Sequence, residues 1–216
     1  MNNGYNNNKL EQDIFSRLVN HIILYSSFTH NLGLYHGKMG IAVVLAMLSR
    51  QSNDIRFLAH AEKLLDEIFE DVSSDTSIDI ENGLCGIAWG INWLIVNKFV
   101  DGDVNSVLEE VDSKIMERDP SRAIDCSFRN GLGGIIYYVD SRIRNGSELA
   151  FDLRYINDIN KMRGRVETMP SDSIEFIYHI VNNTLSQDNY LSLPIGIEKG
   201  CAGLLFSKYI YHSLYV

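Results

Sequence analysis

The sequence predicts an all-α protein of about four helical hairpins set in a ring, each with a glycine-marked inner helix. Three observations lead there. First, a Gly-x-x-Gly pattern followed by an aliphatic run occurs four times, as Gly37-Lys38-Met39-Gly40, Gly83-Leu84-Cys85-Gly86, Gly131-Leu132-Gly133-Gly134 and Gly200-Cys201-Ala202-Gly203. Second, the runs behind the glycines are apolar on every side, which marks buried helices. Third, the segments before the motifs are amphipathic with a 3.6-residue period, which marks outer helices.

The glycine pairs decide the architecture. A glycine inside a helix costs about 1 kcal/mol relative to alanine, so two of them, three apart, at four helix starts need a common cause. A repeat supplies one: each pair lets an inner helix approach its neighbours closely. The first glycines stand 46, 48 and 69 residues apart.

The outer helices follow in order. The first carries Phe15, Leu18, Val19, Ile22 and Ile23, after a polar tail over residues 1–9 that reads as disordered. The second carries Leu58, Ala61, Leu65, Ile68, Phe69 and Val72, with Asp54 as N-cap. The third carries Val104, Val107, Leu108, Val111 and Ile115, enters from Asp103 and stops before Pro120. The fourth carries Ile174, Ile177, Tyr178, Val181 and Leu185, and Asp172 with Glu175 has capping-box spacing. The long third interval holds a further helix between Glu148 and Met162, suggested by Leu149, Leu153 and Ile156. No linker divides residues 10–216, which read as one domain.

Composition bounds the function. The chain has 216 residues and a formal charge of −9. An acidic surface argues against nucleic acid or an anionic membrane as partner, because both need a basic face. Three cysteines, Cys85, Cys126 and Cys201, make no disulfide framework and no C-x-x-C pair. A polar N-terminus and short apolar runs give neither a signal peptide nor a membrane span, so the protein reads as cytoplasmic.

In such a ring the residues before each inner helix gather at one mouth, together with helix N-termini and their free N–H groups. Those residues are Tyr35-His36, Glu81-Asn82, Arg129-Asn130 and Glu198-Lys199. They form the candidate ligand-binding set. Asn82 and Asn130 suit N-capping. For His36, Glu81, Arg129 and Glu198 a structural polar ring and a ligand site both remain open. His36, Glu81 and Glu198 are the candidate acid/base groups, since histidine titrates near neutrality. Cys85 and Cys201 fall inside their motifs, where small apolar residues stand in other copies, and read as packing. No metal site is expected.

Gly33-Leu34-Tyr35-His36-Gly37-Lys38-Met39-Gly40, Asn82-Gly83-Leu84-Cys85-Gly86-Ile87-Ala88-Trp89-Gly90 and Gly196-Ile197-Glu198-Lys199-Gly200-Cys201-Ala202-Gly203 resemble the repeats of lanthionine synthetase C-like proteins. The resemblance runs from about residue 12 to the end and implies a partial α/α toroid. It also implies an activity. The family's enzymes are zinc-dependent cyclases that add a peptide cysteine to a dehydrated serine or threonine, with zinc supplying thiolate as nucleophile. Their zinc sits on two cysteines and a histidine, one pair in a Cys-His-Gly motif. Here Tyr35-His36-Gly37 matches that motif except at the cysteine, and the same slot holds Glu81, Arg129 and Glu198 in the other units. No cofactor is therefore predicted. The expected role is an accessory or peptide-binding protein in modification of a ribosomally made peptide, with a precursor peptide or maturation enzyme as partner. The alternative is a thioether cyclase-like enzyme using His36 and the carboxylates, or a metal completed by a partner. An incomplete ring also exposes its first and last hairpins, so a homo-oligomer is possible.

Overall fold

Residues 3–167, 170, 172–181 and 192–211 are described in a computed structural model. All regular structure among them is helical, and no strand occurs. The helices are α1 (Asn3–Ser26), α2 (Lys38–Ser52), α3 (Ile55–Asp71), α4 (Leu84–Val96), α5 (Val104–Met116), α6 (Leu132–Arg144), α7 (Leu153–Met162), α8 (Ser173–Val181) and α9 (Cys201–Leu205). Among the described residues no helix is long and apolar enough to cross a membrane.

The inner helices are α2, α4, α6 and α9, one behind each glycine motif. In α2 every residue from Lys38 to Ser49 is buried, and α4 is buried from Leu84 to Leu94. The amphipathic helices bury one stripe each: Leu18, Val19 and Ile22 in α1, and Ala61, Leu64, Leu65 and Ile68 in α3. This is a partial α/α toroid.

Several starts agree with the sequence. Asp54, Asp103 and Asp172 accept hydrogen bonds from the backbone N–H groups of Arg56, Asn105 and Ile174. Asp172 also accepts from Glu175 N at 2.8 Å. These contacts satisfy donors that a helix N-terminus otherwise leaves free.

Other features depart from it. Helix α1 begins at Asn3 and takes in residues 3–9, assigned above to a disordered tail. Residues 1–2 lie outside the described residues, as do 182–191, which include Leu185 of the expected fourth outer helix, and 212–216. The last inner helix changes from α to a π-turn at Phe206–Ile210. The helix of the long interval begins only at Leu153, after a separate 3-10 turn at Glu148–Ala150; it buries Tyr155, Ile159 and Met162, while Leu149 on the turn and Leu153 on the helix are exposed.

The order of units differs most. Consecutive units in an open ring leave the first and last apart. Instead α2 packs against both α4 and α9, and α1 also lies on α9. The fourth unit thus packs against the first. Among the described residues, α6 and α9 do not pack closely on each other. Phe176 of α8 reaches α4 and α6, with its ring 4.9 Å from Trp89 and 4.5 Å from Tyr137. Pairing also runs from inner to outer helix: α3 turns back along α2, and α5 along α4. Asn53, in the left-handed conformation at φ 53°, makes the first of these turns together with Asp54.

Candidate functional site

The mouth is built by the loops that enter the inner helices. Each loop folds back under its own helix. Lys38 N, Met39 N and Gly40 N donate to the carbonyls of Asn31, Leu32 and Gly33. Cys201 N, Ala202 N and Gly203 N donate in the same register to Pro194, Ile195 and Gly196, and Leu84 N and Leu132 N donate to Ser77 and Asp125.

This geometry explains the glycines. A Cβ on Gly40, Gly86, Gly134 or Gly203 would collide with the carbonyl oxygen of Leu34, Ile80, Phe128 or Ile197, in each case six residues earlier in the same unit. The close approach that selects glycine is therefore to the unit's own loop first. Neighbouring helices come second, as where Gly40 meets the Ile197 side chain. The N-cap positions themselves are Gly37, Gly83, Gly131 and Gly200, so Asn82 and Asn130 are not caps. The N–H groups expected to be free at the mouth are largely spent on these carbonyls.

The loops are also tied to one another. Ile80 N and Glu81 N donate to Arg129 O, Tyr35 N donates to Glu81 O at 2.9 Å, and Ile197 N and Glu198 N donate to Tyr35 O. This backbone chain runs from the third unit through the second and first to the fourth. It sets the residues at the equivalent slot of each unit, Tyr35, Glu81, Arg129 and Glu198, around one point.

Arg129 is the hub. Its Nε and Nη2 donate to Glu81 Oε2 and Oε1 at 3.0 and 2.7 Å. Its Nη1 and Nη2 donate to Glu198 Oε1 and Oε2 at 2.9 and 2.7 Å. Two bidentate pairs on one guanidinium engage four of its five N–H donors. Hydrogen bonding to Glu198, and then to Glu81, holds Arg129 more firmly charged than usual. The same guanidinium lies 4.8 Å from the centre of the Tyr35 ring. Burial pushes the Tyr35 hydroxyl pKa up, so it stays protonated.

His36 completes the cluster. Its Nε2 lies 3.0 Å from Glu81 Oε1 and 3.3 Å from Glu198 Oε2. Both partners are acceptors, so the contacts assign the proton to Nε2. Any lone pair of a neutral His36 is then on Nδ1. With His36 neutral the four charged or titratable groups sum to −1; with His36 charged they sum to zero.

Of the residues singled out in the sequence, the structure brings together Tyr35, His36, Glu81, Arg129 and Glu198. Asn82 stands behind them, accepting from Asn31 Nδ2 at 3.0 Å. Asn130 and Lys199 are exposed. Lys199 adopts φ 50°, a left-handed conformation that long side chains rarely take, on the turn after Glu198.

Sequence reasoning missed Asn31 and Asp79. Asn31 Oδ1 accepts from Gly33 N, and Asp79 Oδ1 accepts from Asn82 N and Gly83 N. Their signal is positional, since short Asx side chains before a glycine favour such turns. It also missed an open groove of about 530 Å³ that ends on His36 and is lined by Tyr25, Phe28, Leu193, Pro194 and Ile195. Phe28 is 71% exposed there.

A family model, Lanthionine synthetase C-like protein, matches residues 3–159. The chain belongs to this family. No curated protein matches it. The matched span holds the first three glycine units; the fourth continues the same geometry beyond it.

The donor set for a thiolate-held zinc does not fit this lanthionine synthetase C-like chain. Cys85 and Cys201 are buried in the inner helices, and Cys126 is half-buried on the loop before Gly131. Burial pushes the Cys85 thiol far up and the Cys201 thiol to about 11. None stands at the slot of Tyr35, Glu81, Arg129 and Glu198. What converges instead is one ligand atom each from His36, Glu81 and Glu198, all within 4.8 Å of one another.

Proposed function

We propose that this lanthionine synthetase C-like chain binds a segment of a ribosomally made peptide at the mouth without closing thioether rings. One observation carries the reading: the four equivalent slots supply two carboxylates, an arginine and a tyrosine where thiolate chemistry needs sulfur. Both carboxylates are already bound by Arg129. The groove beside His36 supports it, because exposed Tyr25 and Phe28 offer apolar area next to a polar end.

The test uses a fluorescein-labelled peptide with one cysteine and one dehydroalanine. The expected result is a saturable rise in anisotropy, weakened about tenfold in Phe28→Ala, while the peptide thiol stays open to alkylation. No saturable binding at millimolar peptide would overturn the proposal.

A second reading is favoured by His36 alone. Its side chain is 35% exposed while its two glutamate partners are mostly covered. A proton carrier needs both access and an orienting carboxylate. In that reading the protein is a peptide-modifying enzyme, and the thiol in the same assay disappears at a rate abolished in His36→Ala.

A further inference from the structure

We propose that Arg129 is a built-in cation standing where a metal ion would stand, and that His36, Glu81 and Glu198 form a latent divalent-cation site that its charge keeps closed. The donor chemistry comes first. One imidazole and two carboxylates from three different units make a ligand set for zinc or manganese. Two ligand atoms about 2.1 Å from a tetrahedral ion stand about 3.4 Å apart. His36 Nε2 is 3.0 Å from Glu81 Oε1 and 3.3 Å from Glu198 Oε2, and the three atoms lie within 4.8 Å of one another, so small turns of the two carboxylates would gather them around one ion.

Arg129 closes this site in two ways. Its Nη2 lies 2.7 Å from both of those carboxylate oxygens, so it uses the lone pairs an ion would take. Its fixed positive charge also compensates the two glutamates that would attract a dication. The consequence reaches His36. While both carboxylates are turned inward toward Arg129, they face Nε2 as hydrogen-bond acceptors, and Nε2 is engaged with them. The backbone ties of Glu81 to Arg129 and Tyr35, and of Glu198 to Tyr35, hold the donors in place independently of the guanidinium. Removing the side chain of Arg129 therefore leaves the three donor residues on the same tied loops, with both carboxylates released to turn toward an ion.

The proposal concerns the same mouth as the peptide reading but does not need a peptide, and its readout contains none. Purified wild-type protein is titrated with Co²⁺, followed by its visible absorption, and dialysed against Zn²⁺ for stoichiometry. Wild type is expected to hold less than about 0.1 ion per chain. Arg129→Met is expected to hold about one, and Arg129→Met with His36→Ala to lose it. One ion on wild type, lost in His36→Ala, would overturn the proposal. So would a folded Arg129→Met that takes up no ion. Arg129→Gln keeps much of the side-chain volume and gives the same comparison if the methionine variant does not fold. The wild-type titration stands whatever the variants do.

Discussion

Arg129 and Glu198 are 69 residues apart and meet through two hydrogen bonds of 2.9 and 2.7 Å. They come from the third and fourth units, and among the described residues no backbone hydrogen bond joins the mouth loops of those two units. The ion pair and Phe176 together span that junction, so side chains close the ring there.

The first prediction follows from this closure. Hydrogen bonds to charged groups contribute about 1.5–3 kcal/mol, and Arg129 is partly open to solvent, which lowers its share. Glu198→Gln is expected to destabilise by about 1–2 kcal/mol in urea unfolding. Combined with Arg129→Met, the two losses should be less than additive. Additive losses would mean that the pair does not close the ring.

A different ion pair is fully buried. Asp112 accepts from Tyr138 Oη at 2.6 Å and from Arg142 Nη2 at 2.6 Å, and Arg142 also donates to Ser147 Oγ and Asn105 Oδ1. The network clamps α5 to α6. Removing one partner leaves an uncompensated buried charge, which costs about 3–5 kcal/mol. Asp112→Ala should lose that much, and Asp112→Leu with Arg142→Met should lose less than Asp112→Ala alone. Denaturant midpoints decide between them.

The glycine repeat gives a comparison within one chain. A Cβ at Gly203 meets the Ile197 carbonyl, whereas a Cβ at Gly164 meets nothing within 4 Å. Overpacking against backbone costs about 1–3 kcal/mol. Gly203→Ala should fall at the upper end of that range. Gly164→Ala should stay within about 0.5 kcal/mol of wild type. Equal effects at the two positions would remove the loop-packing account of the motif.

That account also shows what the sequence carried and what it did not. The motif spacing marked all four inner helices, because a steric demand repeated at one register leaves glycine at each copy. Asp54, Asp103 and Asp172 marked helix starts, because an N-cap acts within three residues. The same locality hid the rest. That Arg129 binds both Glu81 and Glu198 depends on packing across 48 and 69 residues, and no local preference encodes it. The placing of the fourth unit beside the first was hidden for the same reason. Leu149 misled because it falls on a separate 3-10 turn, Glu148–Ala150, and Leu153 misled because period alone cannot tell which face of α7 meets the core; Tyr155 and Ile159 took it.

Thiol reactivity should rank the three cysteines. The thiolate is the reacting form, and burial raises the pKa of Cys85 far above its usual value and of Cys201 to about 11. Cys126 is half-buried on a loop. Iodoacetamide at pH 8 should therefore modify Cys126 first and leave Cys85 last, as read by peptide mapping. Early labelling of Cys85 would show that the inner helices open readily.

His60 should set a pH dependence of stability near neutrality. Burial lowers its pKa, Lys63 lowers it further, and Glu67 acts against them. Its Nε2 lies 2.8 Å from Ser26 Oγ, a contact that fastens α3 to the end of α1. Between the lowered folded value and the ordinary value near 6.5, the unfolded chain binds more protons than the folded one. Stability then rises with pH in that window, is complete above it, and is lost as pH falls through about 6.5. The melting temperature should decline from pH 7.5 to 5.5, and His60→Gln should flatten the decline. Glu67 acts in a lower window. Burial raises its pKa, but Lys38 and Lys63 outweigh this and leave it below the ordinary carboxyl value. Its contribution is present above about pH 4.5 and lost as pH falls further. A decline between pH 7.5 and 5.5 that persists unchanged in His60→Gln would assign it to some other group.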